Sequence, residues 1–408
     1  MPVDASRITG DLQAISACTM TPGQGADRPT FSPAWRKARD YVIKEAAKAG
    51  CHHRTDAAGN VHIRPQTVGW SNRCWLAGSH LDSVPGGGDY DGVVGVVAAL
   101  EVLRAAAQDG RPDLPLEGII FAEEEGTTFG LGMLGSHGWA GSLDTKSLSA
   151  VRNAEGQNYW EAGKPHGADP SGLESGRLRP SEYLGFLELH VEQGAGMWKR
   201  NEPVALVTGI NGRRQYTVTF RGMANHAGST LMGDRQDALA GAAEVITGLE
   251  SWVSSLGPNV VATTGRISVE PNAINVIPAS TTFTIDFRAP NDSTLSAGDQ
   301  HIRALVSAAA KKRGLKADCI QSESLPAAAL DSGLAHRIRA AATRLGLPPL
   351  PETTSGALHD AATLAPKIPT IMLFIASRDG ISHNPGEFSR IEDITMATRL
   401  LYEAISRP

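Results

Sequence analysis

Cysteine is scarce in this chain, and a cationic excess is missing. Four cysteines (Cys18, Cys51, Cys74, Cys319) are scattered through 408 residues with no Cys-x-x-Cys pair. That spacing supports neither a zinc–thiolate cluster nor a disulfide framework, and it suits a reducing, cytoplasmic setting. No apolar run approaches the roughly 20 residues of a membrane helix. Residues 1–13 are polar and lack the apolar core of a secretory leader, so no signal peptide is expected. A net charge of −5 argues against nucleic acid or an anionic membrane as partner. Internal repeats and low-complexity tracts are also missing. What remains is an ordinary globular composition, 41% hydrophobic and 20% charged, over a length that suits two domains.

The chain is organised around residues 78–92, where one His, three Asp and five Gly lie between two apolar runs. Residues 74–77 read as a buried strand and 93–103 as a helix rich in Val, Ala and Leu. A polar cluster where a strand gives way to a helix is where open α/β sheets bind ligands. His80 and Asp91 are metal-ligand types, and the glycines between them let the backbone turn both toward one point. Asp82, two residues on, is placed to hold the far ring nitrogen of His80. A Gly-rich turn with solvated acids is the plain alternative. A phosphate loop is not supported, since no Lys-Ser or Lys-Thr pair follows.

Three more strand ends repeat the theme. The apolar strand 118–122 runs into Glu123-Glu124-Glu125-Gly126, and successive carboxylates there are costly unless a cation receives them. Strand alternation would point Glu124 and Glu125 in different directions, one to bind metal and one to act as general base. Strand 183–189 runs into His190, Glu192 and Gln193, and strand 369–375 into Asp379-Gly380-Ile381-Ser382-His383-Asn384-Pro385. A hydrogen-bonded core histidine or a solvated acidic turn would explain any one of these alone. Together, three His with carboxylates match a two-metal hydrolytic site whose N/O ligands suit Zn, Mn, Co or Ni. His52, His53 and His62 have no acid at ligand spacing and read as surface or strand histidines.

Helices are predicted over 6–17, 33–49, 237–252, 301–313 and 391–405, and a strand over 60–64. Residues 141–180 read as loops and short helices. From about Thr208 the texture changes: 215–221, 266–269 and 281–288 alternate strictly, as in an antiparallel sheet with one solvated face. The expected fold is α/β, a mixed-sheet catalytic domain (1–207 and 321–408) carrying an inserted α+β domain (208–320).

The motifs His-x-Asp, Gly-x-x-Asp-Gly, Glu-Glu-Gly, His-x-Glu-Gln-Gly and Gly-Ile-Ser-His-Asn, in this order, resemble the dinuclear aminoacylase/carboxypeptidase clan. Within it the chain is similar to the amidase branch of N-carbamoyl-L-amino acid hydrolases, β-ureidopropionases and allantoate amidohydrolases, over nearly its whole length. The resemblance implies a zinc-peptidase-like catalytic domain. It implies two divalent ions held by His80, Asp91 (bridging), Glu125, His190 and His383, with Glu124 as the base and Asp82 orienting His80. It makes the inserted domain a lid and a homodimer surface. There His226 of Asn-His-Ala-Gly would polarise the scissile carbonyl, often across the dimer. Asn275 and Arg288 would hold the substrate carboxylate, Gln193 would touch the ureido group, and Gly356 would offer a backbone contact. Read without the resemblance, Arg288 is a strand-end surface Arg and Asn275 a turn former. His359 and Asp360 support the site, or Asp360 caps the next helix. Allantoate-type relatives tend to carry Arg before the Tyr of the first lid strand. Here that substrate-side position is Gln215, which favours a simple N-carbamoyl amino acid over allantoate. Other readings are an N-acyl amino acid hydrolase or peptidase, or a metal-free binding protein on the same fold.

Overall fold

Four short apolar stretches form the parallel centre of a mixed sheet. A computed structural model describes residues 2–407, which divide into two compact units, 2–208 with 330–353 and 359–407, and 209–329 with 354–358. In the first unit the parallel strands lie in the order Leu116–Phe121, Cys74–His80, Tyr183–Val191, Thr370–Ile375. Antiparallel strands extend both sides, Val61–Pro65 and Cys51–Thr55 on one and Val204–Ile210 on the other. Every residue of the four central strands except Leu184 is buried. This is why they read as continuous apolar runs rather than alternating ones. Val93–Gln108, buried on nearly all sides, packs with Ala5–Ser16, Pro33–Lys48 and Ile391–Ser406 into one core with the sheet.

Strand Val61–Pro65 departs from expectation. All five residues are buried, and His62 is an ion-paired core residue rather than a lone strand histidine. Its Nδ1 lies 2.7 Å from Glu117 and its Nε2 3.1 Å from Asp56. Arg64 and the Tyr183 hydroxyl also bind Glu117. Glu117 comes from a distant strand and Asp56, six residues back, is brought to the ring by the hairpin turn between the two strands, which strand spacing alone does not reveal. His52 and His53 do lie on the edge strand Cys51–Thr55.

The second unit is an antiparallel sheet with Val261–Thr263, Ser280–Ala289, Gly212–Arg221 and Lys316–Leu325 in that order, and Ile267–Glu270 beside the second. Helices Ala238–Ser254 and Asp292–Arg313 cover one face, burying Val218, Phe220, Phe283, Ile285 and Phe287. The strict alternation of Ser280–Ala289 follows from that one-sided covering. The second helix starts nine residues before the expected 301, because the Asn291 side chain caps it by accepting from Thr294 N–H. Strand Lys316–Leu325 runs past residue 320, so this unit extends beyond the boundary expected there. No helix among the described residues is long and apolar enough to cross a membrane.

Candidate metal centre

The polar clusters meet at the C-terminal ends of the four parallel strands of the first unit. His80 is the last residue of its strand and Asp91 precedes the helix Val93–Gln108. Gly92 joins them at φ +65°, and a Cβ there would sit 2.4 Å from the His80 Nε2. Only glycine tolerates both demands.

Backbone carbonyls fix the two buried rings. His80 Nδ1 donates to Asp82 O at 2.9 Å and His190 Nδ1 to Val191 O at 3.0 Å. Each neutral ring then presents an unprotonated Nε2 to the centre, the form that ligates metal. The Asp82 carboxylate does not do the orienting expected of it: Oδ1 is 3.9 Å from the ring, while Oδ2 accepts Glu125 N–H at 3.0 Å. Asp82 thus holds His80 through its main chain and the Glu125 loop through its side chain.

Asp91 stands in the middle. Its Oδ1 is 3.2 Å from His190 Nε2 and 3.5 Å from His80 Nε2, and its Oδ2 is 3.5 Å from His383 Nε2. His383 Nε2 is also 3.5 Å from Glu125 Oε2, and His80 Nε2 is 3.8 Å from Glu124 Oε2. The Glu124–Glu125 pair is presented by a turn and not by strand alternation. The strand ends at Phe121, and Glu123 takes φ +58° while its carboxylate ties down Thr128 and Phe129 N–H.

The donor set fits divalent cations. Among the described residues four sets each offer ligand atoms within 4.8 Å of one another: His80/Asp91/His190, Asp91/Glu125/His383, His80/Glu124/Glu125 and Glu188/His190/His359. His80 Nε2 is buried with no hydrogen-bond partner. Burial pushes Glu124 well above the usual carboxylate range, with Glu125, Asp360 and Asp82 adding to it, and pushes Glu125 up to about 7. Carboxylates crowded in this way, with imidazole nitrogens beside them, are a donor set that hard or borderline cations accept.

Several neighbours surround these ligands, and of them Glu188 was not singled out in the sequence. Glu188, buried one residue-pair before His190, accepts from Ser79 Oγ at 2.7 Å and Ala361 N–H at 3.1 Å. The His359 ring packs edge-on to His190 at 4.4 Å. Asp360 is not a helix cap: it begins the helix Asp360–Leu364, and both its oxygens are buried without a hydrogen bond. Glu192 accepts Met197 N–H. Gln193 Nε2 donates to Asp91 Oδ2 at 2.6 Å, as does Ser382 Oγ at 3.0 Å. Glu387 was also missed; the only hint is an acid four residues beyond His383.

His226, Gln215, Asn275, Arg288 and Gly356 belong to the second unit. Gln215, Arg288 and Gly356 share a groove of about 750 Å³. The Arg288 fork is already met by an anion: Nε lies 2.8 Å from Asp286, Nη2 3.3 Å, and Nη1 donates to Gly356 O at 3.0 Å. The second N–H on each terminal nitrogen remains for a ligand. Gln215 Nε2 donates to Asp286 at 2.9 Å. His226 and Asn275 lie on paired loops, Asn275 O accepting Ala227 N–H. His226 Nδ1 accepts from Gly228 and Ser229 N–H, both at 3.1 Å, so the neutral ring carries its proton on the exposed Nε2.

The profile of Peptidase family M20/M25/M40 matches residues 76–407. An N-carbamoyl-L-amino acid amidohydrolase of Geobacillus stearothermophilus is 35% identical, with 99% of this chain and 98% of that protein aligned. An allantoate amidohydrolase of Escherichia coli is 32% identical, over 96% and 94%. The crystal structure of an amidase of the hydantoinase/carbamoylase family from Burkholderia multivorans superposes with a TM-score of 0.90 at 33% identity, covering 99% and 97%.

Proposed function

Since the chain belongs to the peptidase family M20/M25/M40, we propose that it is a metal-dependent amidohydrolase that cleaves the ureido C–N bond of an N-carbamoyl-L-amino acid. Water is consumed, and amino acid, CO₂ and ammonia are released. The observation that carries the reading is Asp91, shared by the set with His80 and His190 and the set with Glu125 and His383, with Glu124 beside them. Each set would hold one divalent ion. When bound, such ions polarise the scissile carbonyl and make water acidic enough to attack at neutral pH.

The protein does the rest. Glu124, whose Oε2 lies 3.8 Å from His80 Nε2, would accept a proton from the attacking water and return it to the leaving nitrogen. Asp82 and Val191 carbonyls hold the two histidines in the ligating tautomer. Gln193 Oε1, buried without a partner, is an acceptor for a ureido N–H. His226 offers Nε2–H to the carbonyl oxygen, within its own chain or in the partner of a homodimer built through the second unit. Arg288, with Asn275 and the Gly356 backbone, reads the substrate carboxylate. The four unpaired cysteines fit a cytoplasmic enzyme. Allantoate is the second reading, supported by the allantoate amidohydrolase relative. Gln215, bound to Asp286 where that type tends to carry Arg, weighs against it.

The test is metal analysis of purified protein, then ammonia release from a panel of N-carbamoyl-L-amino acids and allantoate. The metal-replete Glu124→Gln variant should lose about 10²–10⁴ of the turnover. Near-normal turnover in that variant, or no release from any ureido acid, would end the reading.

A further inference from the structure

One buried carboxylate next to the centre has no part in the reading above. Glu387 is 5% exposed and follows the tight turn that carries His383, with Glu387 N–H donating to Asn384 O at 3.0 Å. Among the described residues no Lys, Arg or His forms an ion pair with it. Its Oε2 accepts Tyr90 N–H at 2.9 Å and Asp91 N–H at 3.1 Å. Its Oε1 lies 2.8 Å from Ser382 Oγ, which is itself 3.0 Å from Asp91 Oδ2. Glu387 therefore holds the Asp91 main chain directly, and the Ser382 hydroxyl sits between the two carboxylates, its single proton serving one of them at a time. The approach is possible only because residue 88 is glycine: a Cβ there would lie 2.1 Å from Glu387 Oε2.

A carboxylate buried against neutral donors and beside another carboxylate is costly. We propose that Glu387, with Ser382 as its relay, is a positioning residue that fixes the Asp91 carboxylate and ties the Asp91 loop to the His383 loop. The two loops come from opposite ends of the chain, and each carries a ligand of the same proposed ion. Holding them at fixed separation before the ion arrives removes an ordering cost from binding. Partners that orient a ligating carboxylate in this way are worth about 10- to 100-fold in metal affinity. The inference rests on Asp91 being a metal ligand.

The test is competition of apo protein with a chromophoric chelator for Zn²⁺, together with thermal melting of the apo forms. Glu387→Ala should weaken Zn²⁺ binding about 10- to 100-fold. Glu387→Gln should stay within about threefold, because the amide oxygen can accept both N–H groups while its nitrogen donates to Ser382. A purely structural role would lower both melting points and leave the affinity of the folded fraction unchanged. Asp91→Ala separates the two claims. If it binds Zn²⁺ like wild type, Asp91 is no ligand and the functional reading fails. If it loses Zn²⁺ while Glu387→Ala does not, only the positioning claim fails. Should Glu387→Ala not fold, Ser382→Ala breaks the relay alone and should weaken Zn²⁺ binding several-fold; wild-type affinity there overturns the proposal.

Discussion

Removing the Arg288 side chain tests how the enzyme tells an acid from a neutral ureide. The guanidinium is fastened on one side by Asp286 and the Gly356 carbonyl, which orients its free N–H groups without using them up. If those groups receive the substrate carboxylate, Arg288→Ala forfeits a charge-assisted contact of about 1.5–3 kcal/mol. That is roughly tenfold to more than a hundredfold in kcat/KM, falling mainly on KM. Loss of the Asp286 pair cannot account for this. Its two side chains are 28% and 25% exposed, and such a half-solvated pair contributes about 1 kcal/mol or less to stability. Arg288→Lys should rescue poorly, since it brings a charge without a fork. The assay is steady-state ammonia release from an N-carbamoyl amino acid and from its amide, with melting temperatures measured alongside. Wild type should prefer the acid strongly, and the variant should lose rate on the acid while changing little on the amide. Equal proportional losses on both would refute the reasoning and leave Arg288 as a support for the sheet.

Two further outcomes are expected. Glu124→Gln and His226→Ala chains, each inactive, should regain partial activity when subunits are exchanged; no recovery after verified exchange would place His226 in its own chain's site or outside catalysis. Stability should depend on the buried Glu117–His62 pair. Despite the cost of burial, Glu117 and Asp56 raise His62 from 6.5 to about 9, so its stabilisation is full below about 6.5 and lost as pH rises through about 9. His62 and Arg64 lower Glu117 from 4.5 to about 2, so that contribution is full above about 4.5 and lost as pH falls through about 2. Melting temperature should therefore fall on the alkaline side in wild type and be flatter there in His62→Asn; identical profiles would count against the pair.

By itself the sequence determined the local elements and the chemistry each one carries. Buried parallel strands must be apolar throughout, and a strand end must change to polar residues where it leaves the core. His80, Glu124, Glu125, His190 and His383 could therefore be picked out one strand end at a time. The alternation of 281–288 announced a sheet covered on one face for the same reason. Only the tertiary structure decided which polar atoms meet. Whether the Asp82 carboxylate or its carbonyl holds His80 depends on how the chain turns after the strand. Whether His62 is idle depends on Glu117 arriving from another strand and on the hairpin turn folding Asp56 back onto the ring. Whether Arg288 is a free surface side chain depends on Asp286, two residues away on the same strand face, turning toward it. Glu387 lay beyond the motif that carries His383, and its grip on Asp91 exists only because two loops nearly 300 residues apart close on one another. Periodicity reports which face of an element is buried. It does not report what the opposing element presents, and side-chain pairing is a property of both.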